Sequence, residues 1–112
     1  MRDVPSAALR DRRRALLSDL PPLDRVLRGS LVETYKRCGR PGCRCAQGPG
    51  HGPKRYLSVS TAGQPRPRIS YVPNAACAQV AELLDNFRKL RETLNEICAI
   101  NAELLRRRED LG

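Results

Sequence analysis

The chain has 112 residues, 21 of them basic and 12 acidic, for a net charge of +9; three tyrosines and one phenylalanine are its only aromatics. That length fits one domain with a thin core, and small units of this kind usually lean on a metal, a disulfide or a partner chain. No apolar run approaches the roughly 20 residues of a membrane-spanning helix or the roughly 7–15 of a signal-peptide core, so a cytoplasmic protein without membrane contact is expected.

Residues 6–20 read as a first helix, with Ser6 as N-cap and Leu9, Leu16 and Leu20 near one face. Pro21-Pro22 ends it, and a short helix over 23–28, closed by Gly29, is expected to follow. From Ser30 the texture becomes strand-like, with Val32, Thr34 and Tyr35. Beyond a Gly- and Cys-rich stretch, the run 55–72 reads as a hairpin turning at 62–66. A five-residue loop sets Val59 opposite Ile69 and Leu57 opposite Tyr71, which gathers the four apolar side chains on one face.

Pro73 closes the sheet, and Asn74 is the expected N-cap of a long helix over 75–108 that lacks Gly and Pro. Val80, Leu83, Phe87, Leu90, Leu94, Ile97, Asn101 and Leu104 follow alternating steps of three and four, the a/d pattern of a coiled coil with Asn at one a position. A homodimer or partner-protein seam is the expectation. Leu84, Cys98, Ile100 and Leu105 widen the stripe towards packing within one chain, with the N-terminal helix covering the flank. The fold class is therefore α+β: an N-terminal helix, a small three-stranded antiparallel sheet with a zinc-knuckle-like loop, and a long C-terminal helix. The corresponding segments are 1–29, 30–73 and 74–112.

The positive charge is concentrated. Between Thr34 and Pro73 lie Lys36, Arg37, Arg40, Arg44, Lys54, Arg55, Arg66 and Arg68 and no acidic residue. The rest of the chain is close to neutral, which points to a phosphate-bearing partner for that segment.

Cys38, Cys43, Cys45 and His51 lie in the same segment as C-x4-C-x-C-x5-H. Three thiolates and an imidazole form a structural set for tetrahedral Zn(2+), and the interleaved Gly and Pro let a short loop converge on one ion. The spacing lacks the commoner C-x2-C pair. A disulfide framework is the first alternative, disfavoured by a reducing compartment. Reactive-cysteine chemistry is the second, with basic neighbours but no nearby carboxylate to orient His51. Arg40 and Arg44 could also serve to offset the negative charge of the thiolate site. Cys77 and Cys98, 21 residues apart on one helix, cannot bridge within a chain and read as small packing residues.

The run from Gly29 to Pro53, GSLVETYKRCGRPGCRCAQGPGHGP, resembles the signature of an uncharacterised prokaryotic family of short proteins, a domain of unknown function. Tyr71-Val72-Pro73 and the ending Ile100-Asn101-Ala102-Glu103-Leu104-Leu105 match further family features. The resemblance implies that Cys38, Cys43, Cys45 and His51 are the family's ligand positions and that such proteins occur near mobile-element genes. It implies no activity. Where the family places consecutive tyrosines, this chain has Lys54-Arg55-Tyr56, which argues against an aromatic stacking cluster at that point.

The expected function is a small non-enzymatic nucleic-acid-binding protein, with DNA as the favoured ligand. Arg40, Arg44, Arg66 and Arg68 are the first-choice contacts, and Lys36, Arg37, Lys54 and Arg55 the second. The alternative is a protein-interaction adaptor working through the C-terminal helix. The sequence offers no Gly-rich phosphate loop, no paired-carboxylate motif and no HExxH to support an enzyme.

Overall fold

A computed structural model describes residues 1–36 and 51–112, and the side chains of Lys36, His51 and Gly52 are not described. Its elements run α1 (Ser6–Ser18), β1 (Ser30–Lys36), β2 (His51–Val59), β3 (Arg68–Val72) and α2 (Asn74–Arg106). The fold is α+β, as the alternation of periodicities predicts. The chain divides into two units: Met1–Val26 with Asp85–Gly112, and Leu27–Leu84. α2 contributes residues to both.

In the first unit, α1 lies antiparallel to the C-terminal part of α2. Leu9, Ile100 and Leu104 form its buried core, with Leu16 packed against them. Polar bonds follow the same antiparallel order. Arg107 donates to Ser6 Oγ at 3.0 Å, Arg12 to Glu96 at 2.6 Å and Asn86 to the Arg25 carbonyl at 2.9 Å.

Three expectations at the N-terminal end need correction. Pro5 flanks α1 without a side-chain cap, and Ser6 is already helical, its hydroxyl accepting from Arg107. The helix stops at Ser18, with Asp19 out of helical geometry (φ −120°, ψ 37°), two residues short of the expected end at Leu20. Residues 23–28 form no helix: a single Pro22-to-Arg25 turn (3.1 Å) is followed by Leu27 N–H bonding to the Leu83 carbonyl at 3.1 Å. That bond takes the Leu27 amide away from any local helix. Gly29 is not a helix terminator but a point of close approach, since a Cβ there would stand 2.7 Å from the Ser58 carbonyl oxygen.

The second unit holds the antiparallel sheet in the order β1-β2-β3. Its hairpin register differs by one residue from the expected one: Ser58 faces Ile69, Leu57 faces Ser70, Tyr56 faces Tyr71 and Arg55 faces Val72. The connection is longer than expected, 60–67, and Pro65 and Pro67 lack the N–H that would extend the ladder. Its turn places Gly63 at φ 83° inside a Thr61-to-Gln64 hydrogen bond of 3.1 Å, where a type II turn demands left-handed backbone.

Because opposed residues share a face, the slip divides the apolar set. Leu31, Leu57, Val59 and Val72 gather on the better-covered face, where Val72 is buried. Val32, Tyr56, Ile69 and Tyr71 fall on the other.

α2 starts at Asn74 itself, with Ala76 N–H bonding to the Pro73 carbonyl at 2.9 Å. At its far end Glu109 N–H reaches the Leu104 carbonyl and Arg108 N–H the Leu105 carbonyl, both at 3.0 Å. This is a Schellman cap. Its left-handed position is filled by Arg108 at φ 56° rather than by glycine.

Candidate nucleic-acid interface

The hairpin end of the sheet is the strongest site. Arg66 and Arg68, together with Thr61 and Gln64, line a hollow of about 450 Å³. Among the described residues neither arginine has a carboxylate partner, and the residues from Thr34 to Pro73 contain none. Two guanidiniums, a hydroxyl and an amide around one hollow are a donor set suited to phosphate oxygens.

The other basic candidates divide by position. Lys54 is exposed on the same sheet face as Tyr56. Arg55 lies on the opposite face and is bonded to Glu33 at 3.0 Å, which holds its guanidinium above the ordinary value. It also stands 4.0 Å from Cys77 Sγ. Arg55 thus has a structural use, which lowers its availability for a ligand. Lys36 ends β1, while Arg37, Arg40 and Arg44 lie outside the described residues.

Of the proposed metal ligands, Cys38, Cys43 and Cys45 also lie outside the described residues. His51 opens β2 as the Cα partner of Lys36, past an irregularity in the ladder after Thr34. The two ends of the cysteine-bearing segment therefore stand side by side on neighbouring strands.

Along α2, Val80 and Leu83 are half-buried in the sheet-bearing unit. Phe87, Leu90, Ile97 and Asn101 are half-buried in the helical one, Leu104 is fully buried, and Leu94 is 50% exposed. Asn101 accepts a 2.5 Å hydrogen bond from Arg13, so α1 of the same chain meets the residue that the heptad offers to a partner. Ile100, outside the strict a/d set, is more buried than any a-position residue. Cys77 is half-buried, with Sγ 3.4 Å from the Pro73 carbonyl, whereas Cys98 is exposed and does not pack as expected.

The tyrosine pair escaped the sequence reading. Tyr56 and Tyr71 face each other across β2 and β3 with ring centroids 5.8 Å apart and planes at 70°. The two prolines of the 60–67 connection were the available signal, since they exclude a ladder running deep into the loop.

Fold and site together define a small α+β protein whose sheet module carries an unneutralised basic end. The chain belongs to the family described as a domain of unknown function (DUF6788), whose model matches residues 6–82. That span runs from α1 through the whole sheet and into the first turns of α2, so it begins before and ends before the stretch that carries the resemblance noted above. No curated protein and no solved structure matches the chain.

Proposed function

We propose that this is a small non-enzymatic nucleic-acid-binding protein, with DNA as its first-choice ligand, acting through the sheet module. The observation that carries this reading is the convergence of Arg66 and Arg68 on one hollow in a segment free of acidic residues. Lys54 adds to the same field, as do Lys36, Arg37, Arg40 and Arg44 by their place in the sequence. Contacts of this kind are made to phosphates and position the protein without specifying a base sequence.

Cys38, Cys43, Cys45 and His51 hold a structural Zn(2+) in this reading. The donor chemistry suits the ion, and the pairing of Lys36 with His51 supports it by bringing the two ends of the ligand-bearing segment together. The test is fluorescence anisotropy with labelled DNA over a salt series. Binding weakens steeply with salt, and the double variant Arg66→Glu, Arg68→Glu flattens that slope. No binding at low salt to either duplex or single strand overturns the proposal.

A second reading has one observation of its own: Leu94 and Leu105 are 50% and 62% exposed on α2. They would serve an adaptor that docks a protein along this helix. Sedimentation in the presence of candidate partners separates the two, because an adaptor acquires a defined protein stoichiometry without nucleic acid.

A further inference from the structure

The sheet face opposite Arg55 and Val72 is built in three rows across the strands. Thr34 faces Lys54, Val32 faces Tyr56 and then Tyr71, and Ser30 faces Ser58 and then Ile69. Val32, Tyr71 and Ile69 are 43%, 57% and 65% exposed. Glu33, the one carboxylate of the three strands, belongs to the other face and is held by Arg55. This face therefore combines two aromatic rings with a lysine and no negative charge.

We infer that this face is a stacking platform for single-stranded nucleic acid, with Tyr71 as the base-stacking residue and Tyr56 packed against it. The inference rests on the nucleic-acid reading above and names the form of the ligand. Tyrosines on a sheet can only stack on bases whose faces are open, and a duplex hides those faces inside its own stack. The edge-to-face packing of the pair turns one ring against the other, and Tyr71 keeps more than half its surface open. Lys54 stands one row away on the same face, while Arg68, opposite Val59, belongs to the other face and Arg66 to the loop beyond the strands. From Lys54 to Val59 the strand spans about 17 Å at ~3.3 Å per residue, room for a few extended nucleotides.

A second copy of the chain is a poorer occupant. A self-complementary contact would set two acid-free basic segments against each other, and one exposed tyrosine with two aliphatics falls short of the roughly 800 Å² per partner of a stable interface.

The test titrates the full chain with a labelled short oligothymidylate and with a duplex of equal length, at low and physiological salt. The intrinsic tyrosine emission, unobscured because the chain has no tryptophan, is followed in parallel. The oligothymidylate binds more tightly and quenches the emission. Tyr71→Ala weakens its binding by about 5- to 150-fold, Tyr71→Phe retains it, and neither changes the salt slope. Tyr71→Leu, which keeps an apolar side chain on the strand, must lose affinity as well. Circular dichroism establishes that each variant is folded. Equal affinity for duplex, or full binding by folded Tyr71→Leu, overturns the platform and leaves the phosphate-binding reading standing. A concentration-dependent dimer dissolved by Tyr71→Leu overturns it in favour of a second copy. Loss of binding to both nucleic acids in the unmodified chain removes both proposals.

Discussion

Arginine has two different uses in the two units of this protein. In the helical unit it is a cross-link: Arg12 meets Glu96, Arg13 meets Asn101, Arg10 meets Glu109 and Arg107 meets Ser6 and the Met1 and Arg2 carbonyls. In the sheet-bearing unit, among the described residues, Arg55 alone repeats that pattern, with Glu33, while Arg66 and Arg68 line an open hollow. The side chain is the same, and the supply of acceptors decides its use. Carboxylates are interspersed along α1 and the C-terminal part of α2 but absent from Thr34 to Pro73. An arginine without a local acceptor is left with its donors for a ligand.

The largest effect should come from the helical core. Leu104→Ala, which empties a fully buried position, should destabilise the protein by roughly 2–5 kcal/mol, read as a lower urea midpoint. Nucleic-acid affinity of the folded fraction should stay unchanged, which would sharpen the division between the units. An equal loss of affinity would break it. Charge reversal at Arg66 and Arg68 is the complementary case. It should leave the urea midpoint nearly intact and reduce the slope of log affinity against log salt by about one for each contact removed.

Arg108→Gly comes next. Relieving left-handed backbone in the cap of α2 should stabilise the helical unit by about 1 kcal/mol, seen as a raised midpoint with no change in ligand binding. The smallest effect near neutrality concerns Glu103. Hydrogen bonding to Arg106, reinforced by the charges of Arg106 and Arg107, lowers its pKa from the ordinary 4.5 to about 2. Glu96 is also lowered, chiefly by its hydrogen bond to Arg12. A depressed carboxylate gives its full stabilisation above its unfolded pKa and loses it as pH falls through the folded one. Thermal midpoints should therefore be flat above about pH 5 and fall towards pH 2. Glu103→Gln should lower the plateau and reduce the acid-limb decline.

Some of this structure was written in local pattern. Pro21-Pro22 marks the end of the first helix to within two residues, and the Gly- and Pro-free run after Pro73 marks the long one. The basic segment is plain from counting. The 23–28 segment reads as a helix because Pro22 and Gly29 are good helix punctuation, but the Leu27 amide is claimed by a carbonyl 56 residues away in sequence. The a/d stripe shows the same limit. Periodicity reveals which side of α2 is apolar, but α1 reaches Ile100, Asn101 and Leu104 on its flank.

The sequence by itself determined the order of helix and strand, the hairpin and the acid-free basic segment, because each is set by residues close together in the chain. The tertiary structure decided the register, and with it which side chains share a face. One residue of slip sets Tyr71 on the face of Tyr56 instead of that of Leu57, and the length of the loop between the strands controls that slip. Pairing across strands is a non-local choice, settled by how the whole sheet covers one face and leaves the other to solvent.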